Sequence, residues 1–257
     1  MMNQTIDTSV FAGHWPFRRL AHTSPTQLKQ YLSERGVQQA WVSSAEAIMY
    51  PDPMQGNHPL LADITGDPFF LPVALIDPTL ATWHQDAKCC VATLGCRAFK
   101  ITPNYHSYSL EHPAVAALSD LASELELPLC IQVRMMDERG HHPLVKVPPV
   151  PVSEIKGLAT RHARTRFLVC GIYVRELPTL ANTNNVWCEI SYCEAAPTMR
   201  AATDHFPWRR LVFGSHSPLL CFEGAAGKLL APAEDLPAEQ VRAIRIGNAR
   251  SLLAANQ

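Results

Sequence analysis

Short runs of apolar, β-branched and aromatic residues alternate along this chain with longer runs whose apolar residues recur every three to four positions. These are the patterns expected of buried strands and amphipathic helices. The first strand is expected at about Thr5–Phe11. A helix follows, with Ser24 as N-cap, Pro25 at the first helical position and Gly36 just past the end. A hydroxyl there satisfies a free amide, proline supplies a pre-set φ, and glycine tolerates the left-handed exit. Further strands are expected at Gln39–Ser43, Phe69–Leu75, Arg97–Ile101, Leu129–Arg134, Arg166–Cys170, Val186–Ile190 and Arg210–Gly214. Helices fall between them at about His58–Thr65, Thr82–Thr93, His112–Glu126, Ser153–His162, Glu176–Ala181 and Thr198–His205, with a closing helix or helix pair at Pro237–Ala254.

Eight strands alternating with helices imply parallel pairing through right-handed crossovers. The expected fold is a single α/β domain over residues 1–257, a (β/α)8 TIM barrel. An open doubly wound sheet is the alternative, disfavoured because no glycine-rich phosphate loop follows the first strand. In a closed barrel the site lies at the C-terminal strand ends, where alternate residues face the centre.

Composition narrows the function classes. Of 257 residues, 47% are hydrophobic, enough for a large core, and the formal charge of −1 comes with both signs mixed along the chain. Nucleic-acid or anionic-membrane binding needs clustered positive charge, so neither is expected. No apolar run is long enough to span a bilayer, and no signal peptide is expected at the N-terminus. Most of the eight cysteines lie inside apolar runs, as Cys130 does in LPLCIQV and Cys170 in RFLVCGI. They read as reduced thiols of a cytoplasmic protein, not as disulfides or a cysteine zinc site.

The ends of the chain carry a resemblance. IDTSVFAGHWPFRRL, RLVFGSHSP and RIGNARSLL, with FFLPVALIDP and GCRAFKITPNYHSYSLEHP between them, resemble in order and spacing the amidohydrolase-related proteins of the amidohydrolase-2 branch, which holds decarboxylases and lactonases. The resemblance covers essentially the whole chain. It implies a metal-dependent hydrolase fold with a metal at the strand ends, held by a His-x-His pair in the first strand, a histidine after each of the fifth and sixth strands, and an aspartate after the eighth. In this chain those places fall on Ser9 and Phe11, on or near Gln132, in CGIYV without a histidine, and on His216. Phenylalanine offers no donor, and a hydroxyl or carboxamide is a weak ligand beside imidazole or carboxylate. A divergent site without the usual metal is therefore expected.

Several residues could still do chemistry. Lys100 ends the fourth strand and could hold a carboxylate, or pair with a neighbouring acid. Arg134 shares a face with Gln132; the two could bind a carboxylate or lactone carbonyl, or Arg134 could anchor its loop through Asp137. In DERGHH, Asp137 with His141 or His142 could form an acid–base pair, Arg139 could bind an oxyanion, or the segment could tie itself into a surface loop. His216 could act as a general base or be structural. Glu189 could pair with Lys100 or His216, or face a helix. Asp7 shares the inward face of Ser9 one layer deeper and is expected to fix backbone amides or a cation. His14 could touch a substrate over the mouth, although packing of Trp15 and Phe17 is favoured there.

The leading expectation is a hydrolase-like or lyase-like enzyme, of lactonase or decarboxylase type, acting on a small carboxylated metabolite. Lys100, Arg134 and Arg139 would hold the anion and His216, with Glu189 or Asp137, would move the proton. No cofactor is expected; the alternative is a divalent metal such as zinc at a relocated site on His141, His142 and His216. The competing expectation is a noncatalytic barrel binding a metabolite or partner protein, marked by a lumen plugged by Phe11, Tyr173 and other bulky side chains. Family analogy adds a possible homodimer.

Overall fold

The computed structural model describes residues 4–194, 197–230 and 236–254. Eight strands form one sheet in sequential order, every pairing parallel. They are β1 (Thr5–Ala12), β2 (Val37–Ser44), β3 (Phe70–Leu75), β4 (Ala98–Ile101), β5 (Leu129–Gln132), β6 (Phe167–Cys170), β7 (Val186–Glu189) and β8 (Leu211–Val212). Backbone bonds close the ring: Thr8 N donates to Phe213 O at 2.9 Å, His216 N to Ser9 O at 2.8 Å and Phe11 N to Ser217 O at 2.8 Å. The fold is a TIM barrel. β8 keeps only two ladder residues, and Phe213 of its expected length serves this closure with His216 and Ser217.

The helices are α1 (Pro25–Ser33), α2 (Met54–Ile64), α3 (Trp83–Ala92), α4 (Pro113–Glu124), α5 (Val152–Arg161), α6 (Thr198–His205), α7 (Phe222–Leu230), α8 (Ala238–Arg242) and α9 (Asn248–Leu253). Ser24 caps α1 as its sequence suggests, accepting from Gln27 N at 3.4 Å. Two helices depart from expectation. α2 begins four residues before His58, with Met54 N donating to Asp52 Oδ1 at 2.9 Å, and carries Pro59 in its interior. α7 is not foreseen in the sequence, because Gly224 and Gly227 weaken its helical pattern. The stretch expected as a short helix near Glu176 is a 3-10 helix, Val174–Leu180. No described helix is long and apolar enough to cross a membrane.

Buried side chains form three groups. The largest lies between strands and helices. A second fills the lower barrel, where Ile6, Trp41, Leu71, Val73, Cys130, Leu168 and Cys170 meet Ile246, Ala249 and Leu252 of the closing segment. The third, with Phe11, Trp15, Leu75, Met135 and Leu219, lies at the C-terminal strand ends and covers the mouth.

Candidate functional site

The inward face of each strand end decides what the lumen contains. On β1, Asp7, Ser9 and Phe11 follow one another at period two, all fully buried. Asp7 Oδ1 accepts from Ser215 N at 2.9 Å and Ser9 N at 3.3 Å, while Oδ2 and Ser9 Oγ have no partner. Burial, with Glu189 nearby, outweighs the hydrogen bonds and pushes the Asp7 carboxyl up to about 7.

Lys100, from β4, is 2% exposed. Its ammonium lies 4.1 Å from the centroid of the Phe11 ring, and no described carboxylate pairs with it. On β5, Gln132 Nε2 donates to Arg134 O at 2.7 Å, and its Oε1 is unpartnered. His216, just past β8, is fully buried at φ 59°. Its Nε2 lies 2.9 Å from Met135 O. A carbonyl only accepts, so Nε2 carries the proton and Nδ1, unpartnered, carries the lone pair. Burial, aided by the Lys100 charge, pushes the imidazole down to about 3 despite that bond. The ring stands edge-on between Phe11 (4.9 Å) and Tyr192 (5.2 Å).

The structure thus brings Lys100, Phe11 and His216 together and sets Asp7, Ser9 and Gln132 on the same inward face. Glu189 is buried there too, but its partners are not the expected Lys100 or His216. Its Oε1 accepts from Gly171 N and Ser191 Oγ and its Oε2 from Ser191 N, tying together the turns after β6 and β7. Burial raises its pKa against these bonds.

The other expected residues lie outside this group. Arg134 is buried in a two-bond pair with Glu176 (2.6 and 2.9 Å) and also donates to Gly171 O, so it does not anchor Asp137. Asp137 binds neither His141 nor His142. It takes Arg139 Nε at 2.8 Å, Arg139 Nη2 at 3.0 Å and the Tyr173 hydroxyl at 2.9 Å. Arg139 holds its carboxyl well below the usual range. His141 and His142 line a small cavity with Phe17, Tyr105, Met136 and Val145, away from the buried His216. His14 is exposed, and its backbone N donates to Glu46 Oε1 at 2.9 Å. Sequence reasoning gave no role to Met135 and Tyr192. Both lie just past strand ends, the one signal that could have found them.

The donor set implied for a metal can be tested here. Phe11 presents a ring with an ammonium on its face where the second histidine would stand, Ser9 and Gln132 are neutral oxygen donors, and His216 is the one imidazole of the buried group. An uncompensated ammonium beside this place opposes a second cation. Among the described residues no three His, Cys, Asp or Glu side chains converge as metal ligands. These residues do not fit the family's metal.

Solved structures share the whole fold. A 2,6-dihydroxybenzoate decarboxylase from Rhizobium is 15% identical, with 98% of this chain and 99% of that chain covered and a TM-score of 0.74. A dihydroxybenzoic acid decarboxylase from Polaromonas sp. JS666, solved with bound manganese and 2-nitroresorcinol, is 16% identical, with 98% and 97% covered and a TM-score of 0.75. The 5-carboxyvanillate decarboxylase of Sphingomonas paucimobilis is 13% identical, with 98% and 99% covered and a TM-score of 0.75. At these identities the likeness is one of fold. No curated protein matches the sequence. The family model described as amidohydrolase matches residues 25–254. Because that match spans all but the first strand and the two termini, the chain belongs to the amidohydrolase family.

Proposed function

We propose that this protein is an enzyme of hydrolase or decarboxylase type that acts inside the barrel lumen on a small carboxylated compound, lactones among the candidates, without a tightly bound metal. One observation carries the reading: Asp7 Oδ2, Ser9 Oγ, Gln132 Oε1 and His216 Nδ1 are all buried without a partner, and Lys100, 2% exposed, has no carboxylate partner among the described residues. An unsatisfied buried polar atom costs about 1–3 kcal/mol, and barrel interiors are ordinarily filled by branched apolar side chains. A ligand with a carboxylate for Lys100 and polar atoms for the others would offset that cost.

In this reading Lys100 anchors the carboxylate. His216, neutral at pH 7, offers Nδ1 as a proton acceptor. A bound anion partly neutralises Lys100 and so raises the basicity of the imidazole. Asp7, titrating near neutrality, gives or takes the second proton. Arg134 and Arg139, tied to Glu176 and Asp137, take no part.

The test is a turnover screen of lactones and of aromatic and aliphatic carboxylates, repeated with Lys100→Ala and His216→Ala. Loss of a discovered activity in both variants supports the roles; full activity in either removes that residue from the mechanism. The cover of Phe11, Trp15, Met135 and Leu219 over the lumen favours a second reading, a barrel that binds a metabolite or partner without turnover. Lys100-dependent binding with no product would select it.

A further inference from the structure

The lumen is shut at its mouth, so a ligand must open a way in. A cleft of about 730 Å³ lies on the same face, lined in part by Asp137, Tyr173, Arg175, Glu194 and His205. That volume lies within the ~300–1,000 Å³ of small-molecule sites. Tyr173 is held firmly in its wall. Arg134 and Arg175 approach its ring at 3.9 and 4.5 Å, and its hydroxyl donates to Asp137 Oδ2 at 2.9 Å.

Beyond Tyr173 a row of rings runs inward. Tyr192 lies 6.1 Å from Tyr173, His216 lies 5.2 Å from Tyr192, Phe11 lies 4.9 Å from His216, and the Phe11 ring carries Lys100. The Tyr192 hydroxyl is held by Met135 O at 3.0 Å, the same carbonyl that receives His216 Nε2. Releasing Tyr192 therefore leaves His216 its own bond.

We propose that this cleft is the vestibule through which ligands reach the lumen, and that Tyr192 is the gate between them. The proposal rests on the reading of the lumen as the functional pocket. The opening left by one phenol is about as wide as an aromatic ring, so the gate selects small, slender or planar ligands. Tyr192 acts by admission and not on the reacting atoms.

The barrel holds its own reporters. Cys130 pairs in register with Lys100, and Cys170 with Gln132; both belong to the apolar group inside the barrel. Cys90 and Cys96 are equally buried but lie in the layer between strands and helices. N-ethylmaleimide labelling of the folded protein, followed at each cysteine by peptide mass spectrometry, separates the two compartments. Tyr192→Ala is expected to speed labelling of Cys130 and Cys170 about tenfold, with Cys90 and Cys96 unchanged. Unchanged lumen labelling in Tyr192→Ala overturns the proposal. If Tyr192→Ala loosens the whole barrel, all four rates rise together and Tyr192→Phe decides. It keeps the ring and loses one hydrogen bond, so lumen labelling should rise about fivefold; no rise overturns the gate. An inactive lumen would show instead as ligand binding indifferent to Lys100, with the labelling pattern intact.

Discussion

Replacing Lys100 by methionine should make the protein more stable while removing the proposed anion site. An ion taken from water into a protein interior costs several kcal/mol even after relaxation. Lys100 is 2% exposed and has no carboxylate partner among the described residues. What offsets the cost is the Phe11 face at 4.1 Å, a contact worth about 2 kcal/mol when desolvated. Methionine keeps most of the side-chain volume and leaves the ring a sulfur neighbour. The balance favours Lys100→Met by on the order of 1–4 kcal/mol, by comparison with buried ion pairs replaced by apolar side chains. For a chain of this size each kcal/mol moves Tm by about 2–4 °C. Urea and thermal unfolding at pH 7, followed by tryptophan fluorescence, measure the change, and titration with benzoate compares anion binding. A variant less stable than wild type by 1 kcal/mol or more would falsify the claim that Lys100 is an uncompensated charge held for a ligand.

Other consequences follow from the pairs around the lumen. Glu176→Ala leaves the Arg134 guanidinium buried without its carboxylate and should cost about 3 kcal/mol in urea unfolding; adding Arg134→Met should recover most of that loss. His216 is held at about 3 against an ordinary 6.5, so below pH 6.5 the unfolded chain binds the proton first. Its contribution is present above pH 6.5 and lost as pH falls towards 3, on the order of 5 kcal/mol, and His216→Leu should lack that loss. Asp7 runs the other way. Its pKa is raised from 3.8 to about 7, so the folded state holds the proton longer and stability falls as pH rises between those values. The stability of Asp7→Asn relative to wild type should therefore climb by on the order of 4 kcal/mol from pH 4 to pH 8; a flat difference would remove the raised carboxyl.

Much of this was legible in the chain. Strand–helix alternation implies the barrel, and period two on β1 and β5 places Ser9, Phe11 and Gln132 inward. The empty ligand places are visible as residue types, since phenylalanine cannot bind a metal wherever it points. Partner choice was not legible. Arg134 had Asp137 in reach along the sequence, and the acid it takes instead, Glu176, is brought to it by the turn after β6. Asp137 likewise prefers the guanidinium two residues away to the imidazoles four and five residues away. The stacking of Lys100 on Phe11 joins β4 to β1 across the lumen, a contact that only closure creates. The raised carboxyl of Asp7 depends on how completely the barrel excludes water, and no local pattern encodes that.

We propose that this barrel keeps the amidohydrolase fold around a fixed protein cation in place of a bound metal. Elemental analysis of the untagged protein by inductively coupled plasma mass spectrometry, before and after chelator dialysis and after incubation with manganese, tests it most directly. Transition metal far below one equivalent is expected in every sample. Near-stoichiometric zinc or manganese that survives dialysis would contradict it.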